Sequence, residues 1–225
     1  MPELSLVLFD CDGTLIDSQH SIAAAMADAF AACALPPPTV DQVRRVVGLS
    51  LHESVLGLSP GLAPDTVDVV VAAYREAFGR LYAANAARDP LYPGAREAVT
   101  ALDAAGCLLG IATGKSHGGV STLLAGHGLL DRFITVQTPD TNPGKPHPGM
   151  IQSALAATGA ERSGTCLIGD SVYDMQMAAN AGVTAIGVDW GYHAADELRD
   201  AGAAYLLSDF AILPGLIDRL RVGRP

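Results

Sequence analysis

Short apolar runs recur along this chain, each too brief for a helix and each ending at a polar cluster. The clearest are Leu4 to Phe9, Leu108 to Ala112, Thr165 to Ile168 and Thr184 to Val188, with Phe133 to Val136 a weaker fifth. Between them lie Ala-rich segments of helical spacing: Ala95 to Ala105, His117 to His127, Pro148 to Thr158 and Tyr173 to Ala181. Gly106, Gly128, Gly159 and Gly182 stand where helix C-terminal glycines belong. A run that is apolar at every position is a strand buried on both faces, and strands that alternate with helices pair in parallel through right-handed crossovers. The pattern predicts an α/β fold with a doubly wound, Rossmann-like parallel sheet.

One stretch breaks the alternation. From about Ser18 to Arg88 there is no strand-like run, only helical patterns interrupted by Pro36-Pro37-Pro38 and Ser59-Pro60-Gly61, with Val67 to Leu81 the clearest helix. This predicts a core formed by residues 1–17 and 89–225 and an inserted α-helical subdomain over 18–88, hinged near Asp17-Ser18 and Asp89-Pro90. With aromatics at 5% of 225 residues, Ala, Val and Leu must fill the core.

Charge narrows the partners. A formal net charge of −10 opposes nonspecific nucleic-acid binding, which needs a cationic surface, so no nucleic-acid partner is expected. No apolar run approaches the roughly 20 residues of a membrane span. Met1-Pro2-Glu3 carries no basic leader, and the four cysteines are scattered without metal-type spacing. A cytoplasmic chain with free thiols is expected, as a monomer or a homodimer.

Ligands of open α/β sheets gather at the carboxyl ends of the strands. There this sequence places Asp10, Asp12 and Thr14, then Thr113-Gly114-Lys115, then Gly169-Asp170 with Asp174 four residues on. Lys145 lies in a Gly/Pro-rich loop, Asn142 to Pro148; it and Lys115 are the only lysines in the chain. Phosphoryl transfer needs an in-line nucleophile and cations on the phosphoryl oxygens, and carboxylates that form an aspartyl-phosphate are one solution. Asp10 and Asp170 would repel a phosphate dianion, so a divalent cation is expected between them, and an all-oxygen site suits Mg²⁺. Thr113, the Gly114 backbone N–H and Lys145 would hold phosphate oxygens. Asp12 would protonate the leaving alkoxide and later take a proton from water. A calcium loop is excluded, because Gly13 comes too early and Ser21 stands where a bidentate glutamate belongs.

Asp10-Cys11-Asp12-Gly13-Thr14-Leu15-Ile16-Asp17-Ser18 resembles the first motif of the haloacid-dehalogenase-like (HAD) hydrolase superfamily. Ala112-Thr113-Gly114-Lys115, Lys145-Pro146-His147-Pro148 and Gly169-Asp170-Ser171-Val172-Tyr173-Asp174 resemble its second, third and fourth motifs, in order. The resemblance implies that Asp10 is the nucleophile, Asp12 the acid/base and donor of a backbone carbonyl to Mg²⁺, and Asp170 the residue that completes the metal site. Asp174 and Thr14 would orient those ligands, and the helical insert would be a cap.

Within the superfamily, Asp12 argues against dehalogenase chemistry and a lysine-free insert argues against a Schiff base. Val47 and Leu51 stand where phosphohexomutase relatives carry Lys and Arg. What remains is similar to the phosphoglycolate-phosphatase-like branch, with Gly48-Leu49-Ser50 in the cap's substrate loop. The expected partner is a small phosphorylated metabolite. Phosphoglycolate leads, with sugar phosphates, nucleoside monophosphates and pyrophosphate as alternatives, ahead of a phosphomutase or a non-catalytic metabolite-binding protein. Arg44 and Arg45 are either solvated helix charges or partners of a substrate carboxylate. Lys115 either fixes the second loop or is exposed; Cys11 is read as packing, and His127 as helix C-terminal capping.

Overall fold

A computed structural model describes residues 6–84 and 89–222. The first residues of the expected Leu4 to Phe9 strand, the opening Met1-Pro2-Glu3 and the expected boundary at residue 88 lie outside these. Among the described residues six strands form one sheet, β1 (Leu6–Phe9), β2 (Leu108–Ala112), β3 (Thr135–Gln137), β4 (Thr165–Gly169), β5 (Thr184–Val188) and β6 (Tyr205–Leu207). All pairs are parallel, in the order β3-β2-β1-β4-β5-β6. β1 is central because the chain winds outward from it twice in opposite directions, which opens a crevice at its carboxyl end.

Strand alternation distributes the core over two faces. Val7, Phe9, Ile111 and Ile168 pack with α5 (Ala95–Ala104), α6 (His117–Gly126) and α10 (Leu213–Val222). Leu6, Leu8 and Leu167 pack on the other face with α7 (Gly149–Thr158), α8 (Val172–Ala181) and α9 (Ala195–Asp200). Gly159 and Gly182, both at φ 70°, end α7 and α8 in the left-handed conformation, where a Cβ would be strained. The doubly wound α/β architecture is therefore the one the sequence pattern predicts. β6 was not visible in that pattern, since three residues are too few to show a period. β3 begins two residues after the expected Phe133 start.

The long interruption folds as helices α1 (Gln19–Ala32), α2 (Val40–Val46), α3 (Leu51–Leu58) and α4 (Pro64–Ala83). Thr39 and Ser50 start α2 and α3 through capping boxes with Gln42 and Glu53, and Pro64 occupies the first turn of α4. These helices share their own hydrophobic cluster around Met26, Phe30, Val55 and Val70. Where the chain leaves and rejoins the sheet, its two passages run side by side. Asp17 N–H donates to the Pro90 carbonyl and Tyr92 N–H to the Leu15 carbonyl, both at 2.9 Å.

The helical layer touches the sheet layer at few polar points. Arg45 on α2 grips Glu197 on α9 with both guanidinium nitrogens, at 2.7 and 2.6 Å. The Tyr173 hydroxyl donates to the Arg45 carbonyl at 3.1 Å, and Arg44 reaches the Gly191 carbonyl at 3.4 Å. Both arginines are thus partly engaged with the protein itself. Among the described residues no helix is long and apolar enough to cross a membrane.

Phe9 lies fully buried in the central strand, edge-on to Phe133. Phe9→Ala is expected to destabilise the protein by about 3–5 kcal/mol, through lost burial and the cavity left behind. Urea denaturation with an unchanged m-value checks this.

Candidate active site

The carboxyl end of β1 carries Asp10, whose backbone N–H donates to the Ile168 carbonyl of β4 at 2.8 Å. The chain then turns sharply. Leu15 and Ile16 N–H both return to the Cys11 carbonyl, and Cys11 itself packs in the core. Gly13 sits at φ 83° with its α-carbon against the Asp170 carboxylate, so no side chain fits there. Thr14 donates its hydroxyl to Asp170 at 2.9 Å, and the Tyr192 backbone N–H donates to the other Asp170 oxygen at 2.9 Å. Trp190 holds the turn from outside by donating to the Thr14 carbonyl at 3.2 Å.

Lys145 reaches this point from its loop with its side chain wholly buried. Its ammonium lies 2.9 Å from Asp10 and 2.6 Å from Asp174. Asp174 is also the third residue of α8, where it closes a capping box with Ser171. Carboxylate oxygens of Asp10, Asp170 and Asp174 fall within 4.8 Å of one another. Three buried carboxylates therefore meet around one ammonium, which pairs with two of them.

That imbalance sets the electrostatics. Burial pushes the Asp10 carboxyl up to about 7; Lys145 opposes the rise and Asp174 adds to it. Burial also pushes Asp170 well above the usual carboxylate range, with Asp10 and Asp174 adding to the effect against its two hydrogen bonds. Burial alone would favour a neutral Lys145, but the Asp10 and Asp174 charges outweigh it and hold the ammonium above the usual lysine range. The cluster is short of positive charge and offers only hard oxygen donors, which fits a divalent cation.

Asp12 faces away from Lys145. Its carboxylate accepts from the Ser18 hydroxyl at 2.6 Å and pairs with the Lys115 ammonium at 3.1 Å. Lys115 is one-tenth exposed, and its ammonium stands 4.7 Å from the ring centre of Phe78 on α4. The chain's two lysines thus divide its two leading aspartates between them. Thr113, at the end of β2, is buried and accepts from the Lys115 N–H at 3.3 Å. Gly114 packs so tightly under the Gly48 and Leu49 carbonyls that a Cβ would collide with them. Ser50 is taken up in capping α3.

Asp10, Asp12, Thr113, Gly114 and Lys115 all border one cavity of about 570 Å³ between sheet and helices, which Gly48, Leu49 and Ser50 also line. Asp170, Asp174 and Lys145 stand behind Asp10. Of the residues singled out from the sequence, Arg45 is drawn away, to Glu197. The His127 ring lies 2.9 Å from the Asp89 carbonyl, at the passage back into the sheet. Sequence reasoning left Lys115 between two readings and did not find Ser18 or Tyr192. The place of Lys115 beside Thr113-Gly114 and the scarcity of lysine pointed to it, but not to its pairing with Asp12.

A profile of the family described as haloacid dehalogenase-like hydrolase matches residues 7–188. A relative named probable phosphatase IndB, from Dickeya dadantii, is 33% identical over 93% of this chain and 92% of its own. A phosphoglycolate phosphatase of Rhodospirillum rubrum is also 33% identical, over 92% of this chain and 88% of its own. Among solved structures, a hydrolase from Pseudomonas syringae superposes with a TM-score of 0.84 at 27% identity, covering 96% of this chain and 99% of that one. The chain belongs to the haloacid dehalogenase-like hydrolase family.

Removing Lys145 would leave two buried carboxylates facing one another. Lys145→Met is expected to destabilise the metal-free protein by about 3–5 kcal/mol. Adding Asp174→Asn should restore about 1–3 kcal/mol, because the two positions are coupled. A double-mutant cycle in urea measures both.

Proposed function

We propose that this hydrolase is a Mg²⁺-dependent phosphatase that cleaves a small phosphate monoester through an aspartyl-phosphate on Asp10. The observation that carries the reading is the buried cluster of Asp10, Asp170 and Asp174, in which Asp10 and Asp174 share the ammonium of Lys145, open through Asp10 to a cavity. Asp10, Asp170 and the Asp12 backbone carbonyl would hold Mg²⁺, with Asp174 and Thr14 orienting them. The ion would supply charge neutralisation for the phosphoryl oxygens.

The chain's own residues account for the rest. An Asp10 oxygen attacks phosphorus while the bond from phosphorus to the ester oxygen breaks, and Asp12 gives that oxygen a proton. Water then attacks the aspartyl-phosphate, passes a proton to Asp12, and releases phosphate with Asp10 regenerated. Ser18 and Lys115 keep the Asp12 carboxylate turned toward the cavity. Lys145, Thr113 and the Gly114 N–H bind phosphoryl oxygens. Residues 18–88 act as a cap that excludes water, with Gly48, Leu49 and Ser50 at its inner edge. The names of relatives make phosphoglycolate the first ester to assay, with sugar phosphates, nucleoside monophosphates and pyrophosphate beside it.

Asp10→Asn is expected to lower kcat by about 10⁴-fold or more while the protein stays folded. Phosphate release should stop with chelator and return with Mg²⁺. Undiminished turnover in Asp10→Asn would rule out the covalent step.

Burial raises the Asp10 carboxyl to about 7 and raises Asp170 as well, so protons compete with a metal ion for both. Mg²⁺ affinity is therefore expected to fall as pH drops below 7, by about tenfold per unit for each proton displaced. Calorimetry in buffers of different ionisation enthalpy reads both the affinity and the protons released.

A further inference from the structure

The cavity beyond Asp10 has a wall that the phosphatase reading does not explain. Its volume of about 570 Å³ lies in the range of roughly 300–1,000 Å³ typical of pockets for drug-sized ligands. The wall is built from Ile22 and Met26 of α1, Leu49, Tyr74 and Phe78 of α4, and Leu123 of α6. Tyr74 and Phe78, one helical turn apart, stack with ring centres 5.9 Å apart and planes 27° from parallel. They line the same cavity as Asp10 and Asp12.

A leaving group with a second anionic centre would need a cation here, because an unpaired carboxylate on an apolar wall is strongly disfavoured. Lys115 is already paired with Asp12 and capped by Phe78. His52 also lines the cavity, but its ring is half exposed and held by Asp68 at 2.9 Å. Arg75 lines the cavity only from its exposed rim, where water weakens an ion pair. The wall instead offers aromatic and aliphatic surface, which rewards a planar apolar body.

Resting on the phosphatase reading, we propose that the preferred substrate is a phosphate monoester whose alcohol carries an aromatic or heteroaromatic ring. The ring seats against Tyr74 and Phe78, and α4 is the specificity-determining element. This departs from phosphoglycolate, whose alcohol is small and anionic.

The test compares kcat/KM for phosphate release from benzyl phosphate, ethyl phosphate, a nucleoside 5′-monophosphate and phosphoglycolate, with Mg²⁺ present. All four are esters of primary alcohols, so the comparison isolates what the alcohol carries. Benzyl phosphate or the nucleotide should exceed both ethyl phosphate and phosphoglycolate by roughly tenfold or more. Phe78→Ala should collapse the benzyl-to-ethyl ratio toward one. Because Phe78 also packs against the helical cluster, Gly79→Leu provides a second variant. Gly79 lines the cavity from the exposed C-terminal part of α4 and a Cβ there meets nothing within 4 Å, so a leucine is expected to narrow the cavity without disturbing the helix. The same ratio should fall in Gly79→Leu with no loss of thermal stability. Equal rates on all four esters, or a preference for phosphoglycolate that Arg75→Ala abolishes, would overturn this inference and leave the phosphatase reading intact. Release from none of them would overturn that reading, and the inference with it.

Discussion

Lys145 is a fully buried ammonium held between Asp10 and Asp174, and much of the surrounding structure serves that contact. A lysine in an apolar interior tends to lose its proton; this one keeps it because two carboxylates share it. Those carboxylates in turn have to be fixed, since a displaced charge at this depth would be left without water. The parallel sheet provides the fixing. β1 ends at Asp10, β4 ends just before Asp170, and the N-terminus of α8 holds Asp174 in a capping box. The same helix start thus both satisfies its own orphan N–H groups and orients a partner for the ammonium.

Excess negative charge follows from this arrangement. Three carboxylates and one ammonium leave the cluster short of cation; burial first, and the neighbouring carboxylates after it, raise Asp10 and Asp170, and a divalent ion is the natural complement. Asp12, two residues from Asp10, escapes the cluster because the tight turn at Gly13 sends its side chain toward Ser18 and Lys115. Two aspartates close in sequence therefore occupy different electrostatic surroundings. The nucleophile and the proton carrier proposed for these two positions would need that separation.

The helical layer closes the other side of the cavity, and it does so through contacts of different strength. Arg45 and Glu197 form a bidentate but exposed pair, which water screens. The approach of the Gly48 and Leu49 carbonyls to Gly114 is steric, and it tolerates no side chain. A tight backbone seam beside the site with weak ionic contacts further out is what the proposed cap would need in order to swing on the paired passages near Asp17 and Pro90.

Much of this was legible in the sequence for a plain reason. Apolar runs of period-less burial, Ala-rich helical spacing and glycines at helix ends are local signals, and each specifies its element without reference to distant residues. That Asp10, Thr113 and Asp170 gather at one edge of the sheet was legible too, because a parallel sheet delivers every strand's carboxyl end there. What the sequence could not determine depends on side chains that meet across the fold. The pairing of Lys115 with Asp12 and its seat on Phe78, and the capture of Arg45 by Glu197, join residues far apart in the chain, and the local aromatic pair on α4 meets Asp10 and Asp12 only across the cavity. Helix periodicity fixes which residues share a face but not the rotation that aims the face at a neighbour. That rotation is set by packing between the helical cluster and the sheet, and only the tertiary structure decides it.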